Sequence, residues 1–497
     1  MIKLDELYLM IREKNYLLEK SLLLLPSIAY GYKDIYKELS ERINELGRRS
    51  LVLLAEASLF LNDVETFSRL KELFHFWFRK DPKEILELYA FMVNYQARKT
   101  DSDTTDIINK ALSLVKNLII KRRIREREVN LFFELFFRYA SLFGTELDTV
   151  LLSIMNLYEE AFSPYSFYQV LTAYLRHSAF IPPPKTTVMR IYDDIYPKIS
   201  LEDPFLIPLI SSLVLALNSI GREDLSNKLI EELLNKWIVQ RDPSSLFNYS
   251  RSILGRCGLL FALTTKKSLD RFLSEANSTL RDLYDLVKYV NEFYLAVSSG
   301  EKFSINDIEE FLEYAKNILE ESVGEREIME DPLLYLESVI SNVTEAIDSL
   351  INNVYSSMLI THSFSKYREL IEFLKKICDD TPEIEIGFRL RLKNSIAMLS
   401  APIDKNNSLK EFQKSGESIT KICRKDKECV AWLSNDLGVK LGYALALTED
   451  NSFMKLAHYI LTNKYVNRKQ FIRGFASSLY GVISITKFGK KYRDLIQ

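Results

Sequence analysis

Apolar residues recur every three or four positions along most of the chain, which is the period of an amphipathic helix. The clearest example is the stripe Leu209, Ile210, Leu213, Val214, Leu217 and Ile220. Gly221 ends this stripe, and a short polar connection with Asp224 as the N-cap leads into a second stripe that reaches Trp237. Two apolar stripes joined by so few residues must face each other, so the pattern predicts a pair of antiparallel helices.

This helix pair resembles a tetratricopeptide-like repeat, with Gly221 at the turn and the small Ser226 at the place where that family usually has Ala. Val214 departs from the family, which prefers a small residue at that place in the first helix. The resemblance implies an architecture, a curved stack of helical pairs that displays a binding surface. It implies no functional residue.

The same rhythm predicts helices on both sides of this pair. A long helix from Leu4 is expected to be interrupted at Pro26, Asp81 and Pro82 are expected to open another, and Gly144 is expected to close a third. The third carries an aromatic run that we assign to the core: Phe132, Phe133, Phe136, Phe137, Tyr139 and Phe143. The predicted fold is all-α, an α-solenoid-like stack of antiparallel helical hairpins.

Seven of the 13 prolines lie between residues 164 and 208, where long helices cannot run smoothly. The segment is either a boundary between two solenoid halves, which we favour, or a rigid irregular connection between helices. The sequence therefore predicts four segments: a hairpin stack (1–181), a Pro-rich connection (182–208), a central repeat region with acidic helices (209–400) and a basic, aromatic C-terminal region (401–497).

The stretch 383–392 alternates polar and apolar residues and would suit a half-buried strand. No second stretch offers itself as a partner, and a lone strand leaves its backbone groups unpaired. We therefore favour a helix that begins near Glu383, with Pro382 in its first turn.

The composition excludes several classes of protein. The chain has 497 residues, too many for one small domain, and only four Cys and four His, which leaves little material for disulfide frameworks or metal sites. No Gly-rich phosphate loop is present, and we expect no cofactor, no metal and no catalytic residue. The N-terminus reads as an amphipathic helix and no apolar run is long enough to cross a bilayer, so we expect a cytoplasmic protein without a membrane partner.

Three clusters of cysteine, acidic or basic residues can be interpreted either as functional sites or as ordinary structure. The spacing of Cys423 and Cys429 fits neither a zinc knuckle nor a redox Cys-x-x-Cys, and leaves a cross-link as an open alternative. Asp379 and Asp380 resemble the aspartate-rich magnesium motif of all-α isoprenoid synthases, but Pro382 breaks the required helix, so a metal-dependent enzyme is a remote alternative. The basic run 121–127 is tempered by two Glu and is expected to be a solvated turn.

Charge is distributed unevenly. Residues 451–493 contain no Asp or Glu and nine Lys or Arg, which leaves −11 on the remainder of a chain whose net charge is −2. Much of that deficit falls between Glu301 and Asp348. The candidate contacts for a nucleic acid or an acidic partner are therefore Lys464, Arg468, Lys469, Arg473, Lys487, Lys490, Lys491 and Arg493.

These observations favour a non-enzymatic α-helical scaffold that binds a protein partner in a groove of stacked hairpins. The alternative is a nucleic-acid-associated accessory protein, which would use the cations and the interleaved aromatic rings of the C-terminal region. We also expect self-association or internal closure, in which the C-terminal region pairs with the acidic 301–348 segment. Tyr480, Val482, Ile483 and Ile485 would supply its apolar centre.

Overall fold

A computed structural model describes residues 17–99, 104–148, 150–175, 183–199, 207–229, 386–424, 426–463 and 465–483, with isolated positions between 232 and 378. The described residues form helices and no strand, so the all-α prediction is confirmed. The first eleven helices are α1 Leu17–Leu22, α2 Leu24–Ala29, α3 Asp34–Glu41, α4 Arg48–Leu61, α5 Val64–Lys80, α6 Leu86–Lys99, α7 Thr104–Ile120, α8 Glu126–Phe143, α9 Leu151–Ala161, α10 Pro164–Leu175 and α11 Lys185–Arg190.

Among the residues described after position 199, six further helices follow: α12 Ile207–Ser219, α13 Ile386–Ser400, α14 Lys405–Ile422, α15 Lys427–Thr448, α16 Asn451–Thr462 and α17 Arg468–Ile483. The chain divides into two compact units, one made of residues 1–191 and 383–497 and the other of residues 192–382. Both ends of the chain therefore belong to one unit. The four segments predicted from the sequence do not group the two ends together. The segment boundaries themselves stay a prediction.

In the first unit, the helices of the N-terminal half contact one another in a regular order. Helix α4 packs on α6, α6 on α8 and α8 on α10, while α7 packs on α9. The predicted aromatic core is confirmed, because all six rings of the α8 run are buried. Asn94 of α6 is also buried, and its amide nitrogen donates to the Phe136 carbonyl oxygen of α8 at 3.0 Å, which fixes the two helices in register.

The structure decides two predictions about where helices end, at Gly144 and at Pro26. Gly144 does close α8, in the left-handed conformation at φ 64°. The interruption expected at Pro26 is wrong, because the helix breaks at Leu23 and Pro26 lies inside α2. Pro26 is the third residue of that helix, where a backbone N–H has no partner one turn earlier, so proline costs little there.

The C-terminal helices of the same unit pack closely together. Helix α13 contacts α14 and α15, and α14 contacts α16. Helix α13 begins at Ile386, which confirms a helix rather than a strand for the alternating stretch. The alternation failed as a strand signal because residues from 390 onward are buried on more than one face of the helix, between two neighbours.

Helix α17 joins the two halves of the unit, because it packs on α15 and also on α1 and α2. Its contact with α15 is a close approach of two backbones through Gly438, Gly442 and Gly474. A Cβ atom on Gly442 would stand 2.8 Å from the Phe475 carbonyl oxygen, and one on Gly474 would stand 3.1 Å from the Val439 backbone nitrogen. Only residues without a side chain allow this spacing.

The chain therefore closes on itself, but through the N-terminal helices. Tyr480, Val482 and Ile483, which we expected to serve as an apolar centre for self-association, are buried within the first unit. Ile485 and the acidic segment 301–348 lie outside the described residues, so their pairing stays a prediction.

In the second unit, α12 is closed as expected by Gly221, which follows its last turn and adopts φ 76°. Asp224 is not the N-cap of the next helix: the Ser226 N–H donates to the Arg222 carbonyl oxygen, so Arg222 occupies that position and Asp224 lies in the first turn. A carboxylate is favourable there because the N-terminal end of a helix is positive. Trp237 lies outside the described residues. Across the helices that the structure describes, none is both long and apolar enough to cross a membrane.

Candidate partner-binding surface

Two adjacent aromatic side chains stand exposed at the end of α5. The apolar stripe of this helix, Phe67, Leu70, Phe74 and Phe78, is turned inward and buried. Phe76 falls off that stripe and Trp77 lies at its edge, and they are 52% and 40% exposed. Their rings meet edge to face with centroids 6.0 Å apart, and the Lys80 Nζ lies 4.5 Å from the centroid of Phe76.

A basic turn between α7 and α8 contacts the end of α5. The Arg123 guanidinium donates to the Lys80 carbonyl oxygen at 2.8 Å, which ties the turn to the helix. Lys121, Arg122 and Arg123 are exposed, whereas Ile124 is buried and anchors the turn. Ile120, the last residue of α7, is 68% exposed beside it.

The turn ends α7 with a motif that normally uses glycine. The Arg122 N–H donates to the Ile119 carbonyl oxygen and the Arg123 N–H donates to the Leu118 carbonyl oxygen, the two bonds of a Schellman motif. Arg122 sits at the left-handed position with φ 52°. A residue with a Cβ pays about 1 kcal/mol for that conformation relative to glycine. Glycine would be the more stable residue at this position, and the chain has a cation there.

The neighbouring carboxylates have local partners. Glu128 accepts from the Arg125 N–H at 2.8 Å and lies 3.9 Å from the Lys83 Nζ, and Glu126 accepts from the Ser166 hydroxyl at 2.5 Å. They are used to cap and brace α8. We define the basic–aromatic surface as Phe76, Trp77, Lys80, Ile120, Lys121, Arg122 and Arg123.

Sequence reasoning found only half of this surface. It identified the basic run and predicted a solvated turn, and Lys121, Arg122 and Arg123 are indeed exposed between α7 and α8. It did not single out Phe76 and Trp77. The available signal was Phe76, which lies off the stripe formed by Phe67, Leu70 and Phe74. Trp77 follows Leu70 by seven residues and falls at the edge of that stripe, so the pattern does not reveal its exposure. The contact of α5 with the basic turn depends on tertiary packing and leaves no trace in the local pattern.

The structure describes three of the eight C-terminal cations proposed from the sequence. Arg468, Lys469 and Arg473 lie in the first two turns of α17, and Lys469 and Arg473 are exposed. Lys464, Lys487, Lys490, Lys491 and Arg493 lie outside the described residues.

The aromatic rings between these cations were expected to offer stacking surfaces. Phe471 and Phe475 are fully buried and Tyr480 is nearly so, because they form the inward face of α17. Tyr459 is 38% exposed and lies near Tyr465, with ring centroids 6.3 Å apart. Among the rings that the structure describes, most are therefore part of the core, and the exposed side chains of α17 are the cations Lys469 and Arg473.

A buried polar cluster lies where α17 meets the N-terminal helices. The Tyr480 hydroxyl donates to a Glu56 carboxylate oxygen at 2.9 Å, and the Arg138 guanidinium donates to the Tyr480 oxygen at 3.4 Å. Burial, together with the Glu56 carboxylate, raises the pKa of Tyr480 well above its ordinary value, so the phenol keeps its proton. The cluster joins α4, α8 and α17, which lie far apart in the chain, and sequence patterns gave no sign of it.

Within the described ranges, no group of three or more His, Cys, Asp or Glu residues could hold a metal ion. Asp379 and Asp380 lie outside those ranges. Cys423 and Cys429 form a disulfide, which decides the alternative that their spacing had left open.

Comparisons with protein-family models, with curated proteins and with solved structures find no match for the chain.

Proposed function

We propose that this protein is a non-enzymatic α-helical scaffold that binds a protein partner. In this proposal the helices of the N-terminal half form an α-solenoid-like stack of antiparallel pairs, and the protein acts in the cytoplasm. The order in which these helices touch supports the stack, because α4 packs on α6, α6 packs on α8 and α8 packs on α10. The partner binds on the basic–aromatic surface.

The observation that carries the proposal is the exposure of Phe76 and Trp77 next to the basic turn. Aromatic residues and arginine are the residue types that dominate the binding energy of protein interfaces, often by 2 kcal/mol or more for each anchor, about 30-fold in affinity. The surface supplies two aromatic anchors on α5 and, at the end of α7 and in the turn that contacts α5, the exposed Ile120 and three cations. It fits an acidic segment of polypeptide that carries an apolar anchor of its own.

A protein fits this surface better than a nucleic acid does. Single strands bind by stacking successive bases on open aromatic faces. Here the two rings stand at 85° to each other and Lys80 lies over Phe76, so they do not form a stacking platform. Ile120 offers aliphatic surface, which suits a side chain rather than a base.

Site-specific photo-crosslinking tests the proposal. A photoreactive phenylalanine derivative, which keeps an aromatic ring at this position, replaces Trp77 in the full chain, and cross-linked products are recovered from the native cell and digested with protease or nuclease. We expect a discrete product that protease destroys and nuclease leaves intact. A product sensitive only to nuclease, or none at all, would overturn the proposal.

Charge reversal shows whether the basic turn takes part. Lys121→Glu with Arg122→Glu should reduce the yield of the Trp77 product several-fold, and high salt should do the same. The matched control is Lys410→Glu with Lys421→Glu, two exposed lysines of α14, which changes the net charge equally and should leave the yield unchanged.

A second candidate function is nucleic-acid binding by the C-terminal region. It is supported by Lys469 and Arg473, which are exposed one turn apart on α17 in a region without acidic residues. Because most neighbouring rings are buried, such binding would rest on phosphate contacts and should be strongly salt-dependent. Binding of a labelled single-stranded oligonucleotide should then fall on Lys469→Glu with Arg473→Glu, and an unchanged affinity would remove this candidate.

A further inference from the structure

The connection between α14 and α15 holds a chemical group that the proposed function does not use. Cys423 directly follows α14, Cys429 lies in the first turn of α15, and a disulfide joins them across a sequence separation of six. The two Cα atoms are 5.5 Å apart. The bond therefore closes a small ring at the surface and does not connect distant parts of the fold.

Hydrogen bonds hold this turn in place independently of the disulfide. The Asp426 N–H donates to the Cys423 carbonyl oxygen at 2.9 Å. One Asp426 carboxylate oxygen accepts from the N–H groups of Glu428, at 2.8 Å, and Cys429, at 3.2 Å, and so caps α15. The two sulfur atoms would thus remain close together after reduction, so the ring can open and close without rebuilding the turn.

The two cysteines differ in accessibility. Cys423 is 5% exposed, whereas Cys429 is partly exposed. Because it is the more exposed of the two, Cys429 is the sulfur that an incoming thiolate can reach. It also lies at the N-terminal end of a 22-residue helix, whose dipole favours a thiolate when Cys429 leaves in the second step of an exchange. The charges of the same turn balance, because Arg424 and Lys427 stand beside the carboxylates of Asp426 and Glu428.

An exposed tryptophan lies one helical turn further on. Trp432 is 52% exposed and follows Cys429 by three residues, which places both on one side of α15. The Arg391 guanidinium lies 5.0 Å from the ring centroid and holds the indole at this place. Trp432 gives an optical signal for the state of the neighbouring sulfur atoms, since a disulfide quenches indole fluorescence at short range.

We propose that Cys423 and Cys429 form a reversible dithiol–disulfide centre that exchanges with a dithiol reductant. A thiolate of the reductant attacks the Cys429 sulfur, the bond between the two sulfurs breaks, and Cys423 leaves as a thiolate that takes up a proton. The second thiol of the reductant then displaces Cys429, which leaves as a thiolate and is protonated in turn. Two electrons pass to the protein and the reductant becomes a disulfide.

Redox titration of the native full-length protein tests this proposal. The protein is equilibrated in buffers that span the ratio of reduced to oxidised dithiothreitol, alkylated under acid quench, and analysed peptide by peptide. Cys423 and Cys429 should become modified together along one two-electron transition, with no change at the buried Cys378. In the reduced protein, a short exposure to iodoacetamide should label Cys429 at least tenfold faster than Cys423.

Fluorescence gives an independent readout. With Trp77 and Trp237 replaced by Phe, emission from Trp432 should rise along the same transition, and Cys429→Ser should abolish the rise while Cys378→Ser preserves it. If the two cysteines stay oxidised at every ratio and are reduced only in denaturant, their disulfide is a structural cross-link. If they never form a disulfide, they are not a redox centre. Either result overturns the proposal, as does equal labelling of the two thiols.

Discussion

Replacing Gly474 with alanine should destabilise the protein, although alanine is the better helix former. Gly474 lies in α17 where the backbone of α15 passes close to it. An added Cβ would collide with the Asn435 carbonyl oxygen and stand 3.1 Å from the Val439 backbone nitrogen. These are backbone atoms, which cannot turn aside as a side chain can, so the two helices must move apart.

The magnitude follows from two opposing terms. Overpacking a tight contact costs about 1–3 kcal/mol, and the upper end applies because the collision is with backbone. Replacing glycine by alanine inside a helix gains about 1 kcal/mol. The net expectation is a loss of about 2 kcal/mol, the difference between the two terms.

Gly481 provides a matched control in the same helix. A Cβ at Gly481 would meet nothing within 4 Å, so Gly481→Ala should keep the gain in helix propensity and raise stability by up to about 1 kcal/mol. The assay is hydrogen exchange of the α17 amides, read by mass spectrometry, with thermal unfolding alongside. Equal protection of α17 in the two variants would refute the close contact between α15 and α17.

Three further predictions concern ionisable and polar groups. Tyr480→Phe removes the hydrogen bond to the buried Glu56 carboxylate and should cost about 1–3 kcal/mol in a denaturant titration, whereas Tyr165→Phe at an exposed site should cost little. Hydrogen bonds from the Ser452 N–H and hydroxyl and from Lys405 outweigh burial and lower the pKa of Asp450 to about 2, so its stabilisation is complete above the ordinary pKa of 3.8 and is lost as the pH falls towards 2. Asp450→Ala should therefore cost about 1 kcal/mol at pH 7 and less at pH 3, and an equal cost at both would contradict the N-cap role. Burial raises the pKa of Glu87 despite Arg138, Arg49 and Arg48, so the free energy of unfolding falls as the pH rises above the ordinary value of 4.5. Because Gln stays neutral, the stability of Glu87→Gln relative to the wild type should rise between pH 4.5 and pH 8. A stability difference that stays constant over this range would refute the prediction.

Local patterns were sufficient where local physics decides the outcome. The period of three to four residues and the aromatic run of α8 gave an all-α chain with the right core, because an apolar stripe has no other place to go than the interior. Gly144 marked a helix end for the same reason, since the left-handed conformation is set within one residue.

Long-range contacts were not accessible in this way. The four-residue spacings of Gly438 with Gly442 and of Gly474 with Ser478 are visible in the sequence, but nothing local says that these two pairs face each other. Likewise, no pattern places Tyr480 beside Glu56, from which it is separated by 424 residues. Such contacts form only once the ends of the chain meet.

The candidate site shows the same division. The cations around Arg122 could be read from the sequence, but the exposure of Phe76 and Trp77 beside them depends on which face of α5 is covered. At the C-terminus, cations and aromatic rings alternate in the sequence but do not form one surface. The 3.6-residue turn of α17 separates them, so that Phe471 and Phe475 point inward and Lys469 and Arg473 point outward.

The most direct test of the proposed function is the nature of the molecule that cross-links at Trp77 in the cell. The scaffold proposal predicts a polypeptide at this position, lost on Lys121→Glu with Arg122→Glu and kept when Lys410 and Lys421 of α14 are reversed instead. A product that contains only nucleic acid, or a polypeptide product that is indifferent to the charge of the basic turn, would contradict the proposed binding surface.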